Sequence, residues 1–291
     1  MKVLITGARG MLAQDIIRVL EGKHLIVPVT HADLDIGNPV QTAQLLSSHK
    51  PDCVINCAAY TDVDGCESDP DRAFAINADG VKNLAHACRE TRAKLIHIST
   101  DYVFDGASQR PYVEDDATNP LSVYGRSKLA GERYVQDILE SYVIVRTEWL
   151  YGRQGKHFVG TMLQLARERD VLEVVDDQTG SPTCAADLAQ AIAALLAASA
   201  KGIYHVTNAG SCTWYGFACR ILALAGSTTR VKPITSARLA RPAPRPANSV
   251  LNCSKFTWKT GQVLRPWDQA LADFLQGQPE LSPKAAQPPQ A

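Results

Sequence analysis

Short apolar runs alternate with helical patterns along the first half of the chain. Apolar residues that recur every three or four positions predict helices between the runs. Such alternation indicates an α/β fold built on a doubly wound parallel sheet with helices on both faces. The carboxyl ends of its strands are then expected to form the ligand crevice. The predicted strands, rich in Val and Ile, are Val3–Thr6, Leu25–Val29, Cys53–Cys57, Lys94–Ile98 and Tyr142–Val145, and the predicted helices are Met11–Glu21, Pro39–Ser48, Asp71–Thr91 and Ser122–Leu139.

The second half has a less regular pattern. It predicts strands at Leu172–Val175 and Gly202–Val206 and helices at Ala185–Ala198 and Trp214–Ala225. Arg238–Pro246 holds three prolines and three arginines and predicts an extended loop. Residues 277–291 are rich in Pro, Gln and Ala and predict a disordered tail. In the first half, Ser68 and Asp71 have the spacing of a capping box for the third helix.

The composition is that of an ordinary globular protein. Of 291 residues, 45% are hydrophobic, and 30 basic residues balance 30 acidic ones. Bulk charge therefore gives no support for nucleic-acid or membrane-surface binding. The start of the chain lacks a signal-peptide pattern, and the most apolar helical stretch, 185–200, is too short to span a bilayer. The eight cysteines include no C-x-x-C pair, so we expect free thiols, a cytoplasmic location and no metal site.

The first predicted strand ends in a glycine turn suited to a dinucleotide. Gly7 and Gly10 follow the strand in G-x-x-G spacing, with Ala13 in the third small position. Gly7 permits a tight turn and Gly10 a close approach of the backbone to a pyrophosphate. The amides of Met11 and Leu12, at the start of the next helix, would face that anion. The sequence therefore predicts a Rossmann-type cofactor site.

NADPH is the favoured cofactor, with NADH as the alternative. The second strand ends at Thr30 and His31 without an acid that would hold a ribose 2′-hydroxyl. Arg9 lies within the glycine turn, and its guanidinium suits a 2′-phosphate. Asp35 and Ile36 are expected to flank the adenine.

Further small or apolar residues are predicted to contact the cofactor. Ala58, Ala59 and Tyr60 follow the third strand, where small residues let the backbone run along the ribose. Ile98, near the end of the fourth strand, is expected to lie in the same crevice.

Tyr124 and Lys128 are candidate catalytic residues. They are four positions apart in a helical pattern and therefore share a face. A nearby ammonium is expected to lower the pKa of the tyrosine, and Lys128 can also hold the nicotinamide ribose. The fourth strand delivers Thr100 to the same crevice, where its hydroxyl could hold a carbonyl group. These residues predict carbonyl–alcohol oxidoreduction.

Three motifs together carry a resemblance to a known family. Gly7-x-x-Gly10, the run from Ser99 to Phe104, and Tyr124-Gly125-x-x-Lys128 resemble those of the extended short-chain dehydrogenases/reductases. Within them, the chain is similar to the branch that reduces the C4 ketone of a dTDP-linked sugar. Further motifs of that branch are 146–151, 177–183, 213–215 and 245–251, and the resemblance covers the chain from Met1 to about Leu275.

The resemblance implies a specific activity. It is the reduction of dTDP-4-dehydro-β-L-rhamnose to dTDP-β-L-rhamnose, with hydride from NAD(P)H. Tyr124 would be the proton donor, Lys128 the ribose anchor and Thr100 the residue that orients the carbonyl. The residues expected to bind the substrate are Thr100, Asp101, Tyr102, Trp149, Arg245 and Asn248.

The resemblance also implies a division into two lobes. Residues 1–148 would form the NAD(P)-binding domain, to which segments of about 183–208 and 249–256 return. Residues 149–182 and 209–248 would form a smaller C-terminal substrate-binding lobe. The sequence leaves open whether the protein is a monomer or a homodimer.

One departure from the branch concerns a metal. Some members resemble a magnesium-bridged dimer that uses acidic surface side chains. Asp15 could supply one carboxylate, but Ala186 stands where another acid would be expected. We therefore expect no structural magnesium.

Two other functions stay open at this point. A nucleotide-sugar dehydratase of this superfamily would carry Thr-Asp-Glu, whereas here Thr100 and Asp101 are followed by Tyr102. A 4-epimerase is not excluded by Thr100, Tyr124 and Lys128 alone. A non-catalytic NADP-binding regulatory subunit, similar to one of methionine adenosyltransferase, would not require all three of these residues.

Overall fold

A six-stranded, fully parallel sheet forms the centre of the protein, which is described for residues 1–278 in a computed structural model. Its strands are β1 (Lys2–Thr6), β2 (Leu25–Val29), β3 (Cys53–Asn56), β4 (Lys94–Thr100), β5 (Tyr142–Thr147) and β10 (Gly202–His205). Their order is β10-β5-β4-β3-β1-β2, and in-register pairs such as Thr6–Asn56 and Thr100–Thr147 place the strand ends along one edge. The predicted α/β fold with a Rossmann-type sheet is confirmed.

The strand order reverses between β1 and β3. After β1 the chain moves outward to β2 and then returns to the other side of β1. The crossover connections on the two sides of this point lie on opposite faces of the sheet, so a crevice opens between the strand ends. The glycine turn and the loop after β3 flank this crevice.

Helices cover both faces of the sheet. One core lies where α1 and α8 pack against it, and a second lies beneath α2, α5 and α6. The strands β1, β3, β4 and β5 contribute buried apolar side chains to both cores. This burial on both faces explains why their sequences are continuous apolar runs. The helices are α1 (Met11–Leu20), α2 (Pro39–His49), α3 (Val63–Ser68), α4 (Pro70–Phe74), α5 (Gly80–Thr91), α6 (Val123–Ile138), α7 (Phe158–Glu168), α8 (Ala185–Ala197), α9 (Trp214–Leu224), α10 (Ser236–Leu239), α11 (Ser254–Thr260) and α12 (Trp267–Gln276).

A third core lies beyond the carboxyl end of the sheet. Helices α7, α9 and α12 pack around Tyr151 and Phe217, which are almost completely buried. Three small two-stranded sheets accompany them and connect this region to the central sheet. Their strands are β6 (Leu150–Tyr151), β7 (Val171–Val175), β8 (Thr179–Gly180), β9 (Thr183–Cys184), β11 (Cys212–Thr213) and β12 (Arg230–Ile234), paired β6–β9, β8–β11 and β7–β12.

The predicted helix at 71–91 differs from the structure. It begins at Pro70, contains a π turn at Ala75–Asp79 and continues as α5. The cap is not the predicted pair of Ser68 and Asp71. Asp69 instead accepts a hydrogen bond from the backbone of Arg72 at 3.1 Å, because Ser68 already ends the preceding helix, α3.

The arginine- and proline-rich stretch is only partly an extended loop. Ser236–Leu239 form the short helix α10, and irregular backbone follows it from Ala240. The predicted tail lies outside the described residues, except for Gly277 and Gln278. Among residues 1–278, no helix is both long enough and apolar enough to cross a membrane, and all eight cysteines are free.

Candidate active site

Gly7 makes the turn between β1 and α1 in a conformation that other residues rarely adopt. Its φ is +64°, and a Cβ atom placed there would lie 2.8 Å from the backbone nitrogen of Ala58. Gly10 is the N-cap of α1, and no side chain caps the first N–H groups of this helix. Ala13 is fully buried against the sheet. The turn therefore leaves room and donors for a pyrophosphate, and a nicotinamide dinucleotide fits it.

A cavity of about 600 Å³ opens beside this turn, and we call it the adenosine cavity. Two guanidinium groups border it, from Arg9 and from Arg72, which lies 4.7 Å above the ring of Tyr60. At the end of β2, the side chain of Asp33 accepts hydrogen bonds from the backbone and hydroxyl of Thr30. The predicted cofactor residues that line this cavity are Gly7, Arg9, Gly10, Asp35, Ile36, Ala58, Ala59 and Tyr60.

Buried amide side chains fix the wall that carries Ala58 and Tyr60. Asn77, in the π turn, accepts a hydrogen bond from the Tyr60 N–H at 2.8 Å and donates to the Tyr60 carbonyl at 3.0 Å. The same amide donates to the Ser127 hydroxyl on α6. Asn56 holds the Ala58 N–H at 3.1 Å. Asn77 therefore connects the backbone of Tyr60, which borders the adenosine cavity, with α6, which carries the candidate catalytic residues.

Two glycines allow α6 to approach its neighbours closely. A Cβ atom on Gly125 would lie 2.2 Å from the Tyr102 carbonyl oxygen, and one on Gly131 would lie 2.3 Å from the Asn77 carbonyl oxygen. The helix begins at Ser122, whose hydroxyl accepts from the Gly125 N–H at 3.1 Å. The close contacts at Gly125 and Gly131 thereby fix the position of the part of α6 that carries Tyr124 and Lys128.

A buried ion pair anchors α6 to the sheet. Glu132 is fully buried and meets Arg146 of β5, with 2.7 Å between Oε2 and Nη2 and 3.0 Å between Oε1 and Nε. Ser99 of β4 also donates to Glu132. Both strands that end at the crevice are in this way tied to the catalytic helix.

A second cavity, of about 610 Å³, lies next to the adenosine cavity, and we call it the reaction cavity. Gly10, Cys57 and Ala59 border both cavities. The predicted residues that the structure brings together around the reaction cavity are Met11, Leu12, Ile98, Thr100, Asp101, Tyr102, Tyr124, Lys128 and Trp149.

The three candidate catalytic residues face this cavity together. Tyr124 and Thr100 both line the cavity, and the Thr100 hydroxyl lowers the pKa of the Tyr124 phenol against the effect of burial. The Lys128 ammonium donates to the Ile98 carbonyl oxygen at 2.6 Å and is almost completely buried. A phenol, an alcohol and a cation are therefore arranged at the end of β4, where a carbonyl substrate could meet them.

Electrostatics differ from the sequence expectation at Tyr124. Burial raises the pKa of its phenol above the ordinary value, with the Thr100 hydroxyl opposing the shift, and no lowering by Lys128 is found. Burial instead lowers the pKa of Lys128 to about 8. At neutral pH the phenol is therefore protonated, which suits a proton donor.

A pair of carboxyl groups borders the same cavity. Asp101 and Glu148 are each 2% exposed, and the Thr100 hydroxyl donates to Asp101 at 2.9 Å. Burial raises the pKa of Asp101 to about 7, and burial together with the charge of Asp101 raises the pKa of Glu148 well above its usual value. Ser249 donates to Glu148 at 2.9 Å.

A third cavity, of about 740 Å³, continues from the reaction cavity, and we call it the lobe cavity. Tyr102 and Trp214 border both. The indole of Trp214 is stacked on that of Trp149, which has a left-handed backbone with φ of +47°. The lobe cavity is lined on its far side by residues of 236–245.

Arg245 reaches the lobe cavity, but it already has an anionic partner. Its Nη2 lies 3.0 Å from each carboxylate oxygen of Asp64, and Arg241 also contacts this carboxylate at 3.1 Å. Although burial opposes the effect, hydrogen bonds from the Ala243 N–H and from Arg245 hold the pKa of Asp64 below its ordinary value.

Asn248 is the one predicted site residue that the structure does not bring into these cavities. Its side chain donates to the Ser108 carbonyl oxygen at 2.8 Å and borders a separate surface cavity. It therefore connects two loops, and no atom of it lines the crevice.

Sequence reasoning missed three residues of the site: Glu148, Trp214 and Asp64. Trp214 lies in one of the family motifs, but the sequence alone gives it no role. Glu148 lies between Thr147 and Trp149, so its position before a predicted substrate residue was a usable signal. Asp64 carried no signal, because its partners Arg241 and Arg245 lie about 180 positions further along the chain.

The acidic side chain considered for magnesium is engaged elsewhere. Asp15 forms an ion pair with Arg18 one turn further along α1. Within residues 1–278, no group of three or more His, Cys, Asp or Glu side chains could hold a metal ion.

The sheet, its glycine turn and the tyrosine–lysine pair beside Thr100 define the class of protein. This arrangement is that of the short-chain dehydrogenases/reductases, and the additional core around Tyr151 and Phe217 places the chain among the extended members. A family model described as the RmlD substrate binding domain matches residues 1–279. The chain belongs to this RmlD family.

Relatives and solved structures agree with that assignment. The dTDP-4-dehydrorhamnose reductase of Streptomyces griseus is 44% identical over 98% of this chain and 95% of its own length. The dTDP-4-keto-6-deoxy-D-glucose reductase of Streptomyces niveus is 42% identical over 92% of this chain and 94% of its own. The crystal structure of the Bacillus anthracis dTDP-4-dehydrorhamnose reductase in complex with NADP has a TM-score of 0.93 at 40% identity, covering 95% of this chain and 99% of that one.

Proposed function

We propose that the protein reduces the C4 ketone of dTDP-4-dehydro-β-L-rhamnose to the alcohol of dTDP-β-L-rhamnose, with NADPH as the reductant. The observation that carries the proposal is the placement of Tyr124 and Thr100 in the reaction cavity, between a cavity for the cofactor and a cavity for the nucleotide. The names of the relatives from Streptomyces griseus and Bacillus anthracis support the substrate.

Each catalytic residue has a chemical task in this proposal. When bound along the adenosine and reaction cavities, NADPH would supply the hydride for C4 of the sugar. Tyr124, protonated at neutral pH, donates its proton to the carbonyl oxygen as negative charge develops there. Thr100 holds that oxygen in place, and Lys128 donates to the cofactor ribose while its stem packs in the sheet.

The preference for NADPH rests on Arg9 and on the end of β2. Arg9 is exposed at the mouth of the adenosine cavity, where a guanidinium can pair with a 2′-phosphate. No acid follows β2 directly, and Asp33 is held by Thr30. The relative from Bacillus anthracis was solved with NADP.

The nucleotide part of the substrate is proposed to extend into the lobe cavity. Arg245 and Arg241 border that cavity and can pair with a diphosphate once it displaces Asp64. The division into a cofactor domain and a lobe of 149–182 and 209–248 is part of this proposal, and so is the cytoplasmic location.

A second substrate is favoured by one comparison. The relative from Streptomyces niveus is named for dTDP-4-keto-6-deoxy-D-glucose, which carries the same C4 ketone on an unepimerised ring. The two candidate substrates differ in sugar stereochemistry and not in the chemistry at C4.

The deciding experiment follows the loss of reduced nicotinamide absorbance. The full chain is mixed with NADPH and, in separate reactions, with each of the two dTDP-4-keto sugars and a UDP-linked 4-keto sugar. We expect turnover with a dTDP-linked ketone and a loss of roughly 10²–10⁴-fold in Tyr124→Phe, the usual scale for a positioned acid. Intact NADPH binding without turnover on any of the three would support a non-catalytic subunit and overturn the proposal.

Cofactor choice has its own test. Arg9→Ala is expected to weaken NADPH binding on the order of tenfold while leaving NADH binding unchanged, as for one exposed ion pair with a phosphate. Arg89→Ala, at an exposed position on α5, is the matched control. Equal affinity of the wild type for both cofactors would contradict the preference.

A further inference from the structure

Two carboxyl groups at the inner end of the reaction cavity have no cation beside them. Asp101 follows β4 and Glu148 follows β5, so neighbouring strands bring them together. Among residues 1–278, neither forms an ion pair. The Lys128 ammonium donates to the Ile98 carbonyl, and Arg245 is paired with Asp64.

One oxygen of each acid lacks a hydrogen-bond partner. These are Oδ2 of Asp101 and Oε1 of Glu148, and both are inaccessible to solvent. The other oxygens are satisfied: Thr100 donates to Asp101 Oδ1, and Ser249 donates to Glu148 Oε2. It is costly to bury two ionised acids that each have one oxygen without a donor, whereas a single proton converts one acid into a donor for the other.

The electrostatics agree with a retained proton. Burial raises the pKa of Asp101 to about 7, and burial together with the charge of Asp101 raises the pKa of Glu148 well above its ordinary value. The other titratable side chains that face the pair are uncharged at neutral pH, namely Tyr102, Tyr124, Cys212 and Cys253. The backbone N–H groups of Ser181 and Leu251 lower the pKa of Glu148, without outweighing these effects.

The protonation of Asp101 decides what Thr100 can do. A threonine hydroxyl has one proton to donate. While Asp101 is ionised, that proton is directed to its Oδ1 atom. When Asp101 carries a proton on Oδ2, its Oδ1 atom belongs to a neutral acid and is a weaker acceptor, so the Thr100 hydrogen can bind the carbonyl oxygen of a substrate instead.

We propose that Glu148 is a positioning residue: it keeps one proton shared with Asp101, and the neutral Asp101 releases the Thr100 hydrogen to the substrate carbonyl. The inference rests on the proposed reductase function and adds a residue to it. No bond to this proton is broken in the reaction, since the proton that reaches the substrate oxygen comes from Tyr124. The proton on the pair lowers the strength with which Asp101 accepts the Thr100 hydrogen.

The test is Glu148→Gln in the full chain with NADPH and the dTDP-4-keto sugar. The amide that replaces the Glu148 carboxyl group can no longer share a proton with Asp101, so we expect Asp101 of the variant to be ionised at mildly alkaline pH and protonated only in acid. We expect kcat of the variant to fall on the order of 10²-fold at about pH 8, the scale for one lost oxyanion donor. At about pH 5.5 it should approach the wild-type value, and KM should change little.

Glu114→Gln is the matched control. Glu114 is also a buried acid with a raised pKa, but it accepts from the His205 N–H, away from the reaction cavity. Its variant should keep the pH profile of the wild type. If Glu148→Gln has a wild-type pH profile, or if it loses the same factor at every pH, the positioning role is wrong.

A second readout needs no substrate. Infrared difference spectroscopy at about pH 8 should show a protonated carboxyl band in the wild type and in Glu114→Gln, and the band should be missing in Glu148→Gln. If the band is absent from the wild type, the proposal of a shared proton is wrong. A wild type that turns over none of the sugars but shows the band would overturn the proposed function while leaving the acid pair supported.

Discussion

The indole rings of Trp149 and Trp214 lie face to face, with their centroids 3.6 Å apart and their planes inclined by 11°. Trp149 follows β5 and the central sheet, whereas Trp214 begins α9 in the additional core. The stack therefore joins the two regions at the wall between the reaction cavity and the lobe cavity.

Removal of one ring should affect the substrate more than the cofactor. We expect Trp214→Ala to raise KM for the nucleotide sugar by roughly 3- to 10-fold, since an aromatic pair contributes about 0.5–1.5 kcal/mol beyond its buried area. The Kd of NADPH should stay within a factor of about two, because Trp214 does not border the adenosine cavity. Trp258→Ala, at a side chain that is 86% exposed, is the control and should change neither constant.

Glu132→Gln should destabilise the fold. The substitution leaves the Arg146 guanidinium buried without its counter-charge, which typically costs about 3–5 kcal/mol. Urea unfolding gives the free energy of unfolding for both proteins. Glu90→Gln removes the partner of Arg89 in an exposed pair and should cost less than about 1 kcal/mol. Equal losses in the two variants would contradict the structural role of the buried pair.

Acid should destabilise the protein through His205. Burial, helped by Arg146, lowers the pKa of this histidine to about 3, whereas in the unfolded chain it stays near 6.5. Between these values the unfolded state binds a proton that the folded state does not. Stability from this group is therefore complete above about pH 6.5 and is lost as the pH falls towards 3, by up to about 1.4 kcal/mol per pH unit.

The pH dependence of unfolding checks this expectation. His205→Gln should flatten the free energy of unfolding between about pH 6 and 4, while lowering it overall because the contact with the Tyr112 carbonyl is altered. His31→Gln, at an exposed position, should keep the wild-type slope. An unchanged slope in His205→Gln would show that another group carries the effect.

Lys128→Met should impair both cofactor binding and catalysis. The ammonium that would hold the ribose is removed while the apolar stem is kept. We expect the Kd of NADPH to rise and kcat to fall, each by roughly tenfold or more. A loss in kcat with an unchanged Kd would contradict the ribose contact.

Lys128 also predicts an alkaline limit of activity in the wild type. Because burial lowers its pKa to about 8, the side chain loses its charge above that pH, and the rate should decline there. The pKa of Tyr124 is raised, so the tyrosine stays protonated and is not the cause of this limit. A rate that is constant to about pH 10 would show that the charge of Lys128 is not needed.

The four inner strands of the central sheet could be predicted because each is buried on both faces. Cys53–Ile55 and Tyr142–Val145 are continuous apolar runs for this reason, and apolar residues recur every three to four positions in the two long helices between them. The small strands β8 and β11 could not be predicted. They contain two residues each, and their pairing depends on contacts between segments more than about 30 positions apart.

The candidate site residues that could be predicted from the sequence are those that share one secondary-structure element or one motif. Gly7 and Gly10 share a turn, and Tyr124 and Lys128 share a helix. Glu148 was missed because its significance depends on Asp101, which is distant in sequence and adjacent only through the pairing of β4 with β5. The raised pKa of Tyr124 was missed for a related reason, because burial is a property of the whole fold and outweighs one nearby charge.

Asp64 gives the loop of Arg241 and Arg245 a resident anion. In the proposed function, a diphosphate that enters the lobe cavity would replace this carboxylate, and the carboxylate would return when the product leaves. The arginines would then keep a counter-ion throughout, and Asp64 would compete with the product for its binding place.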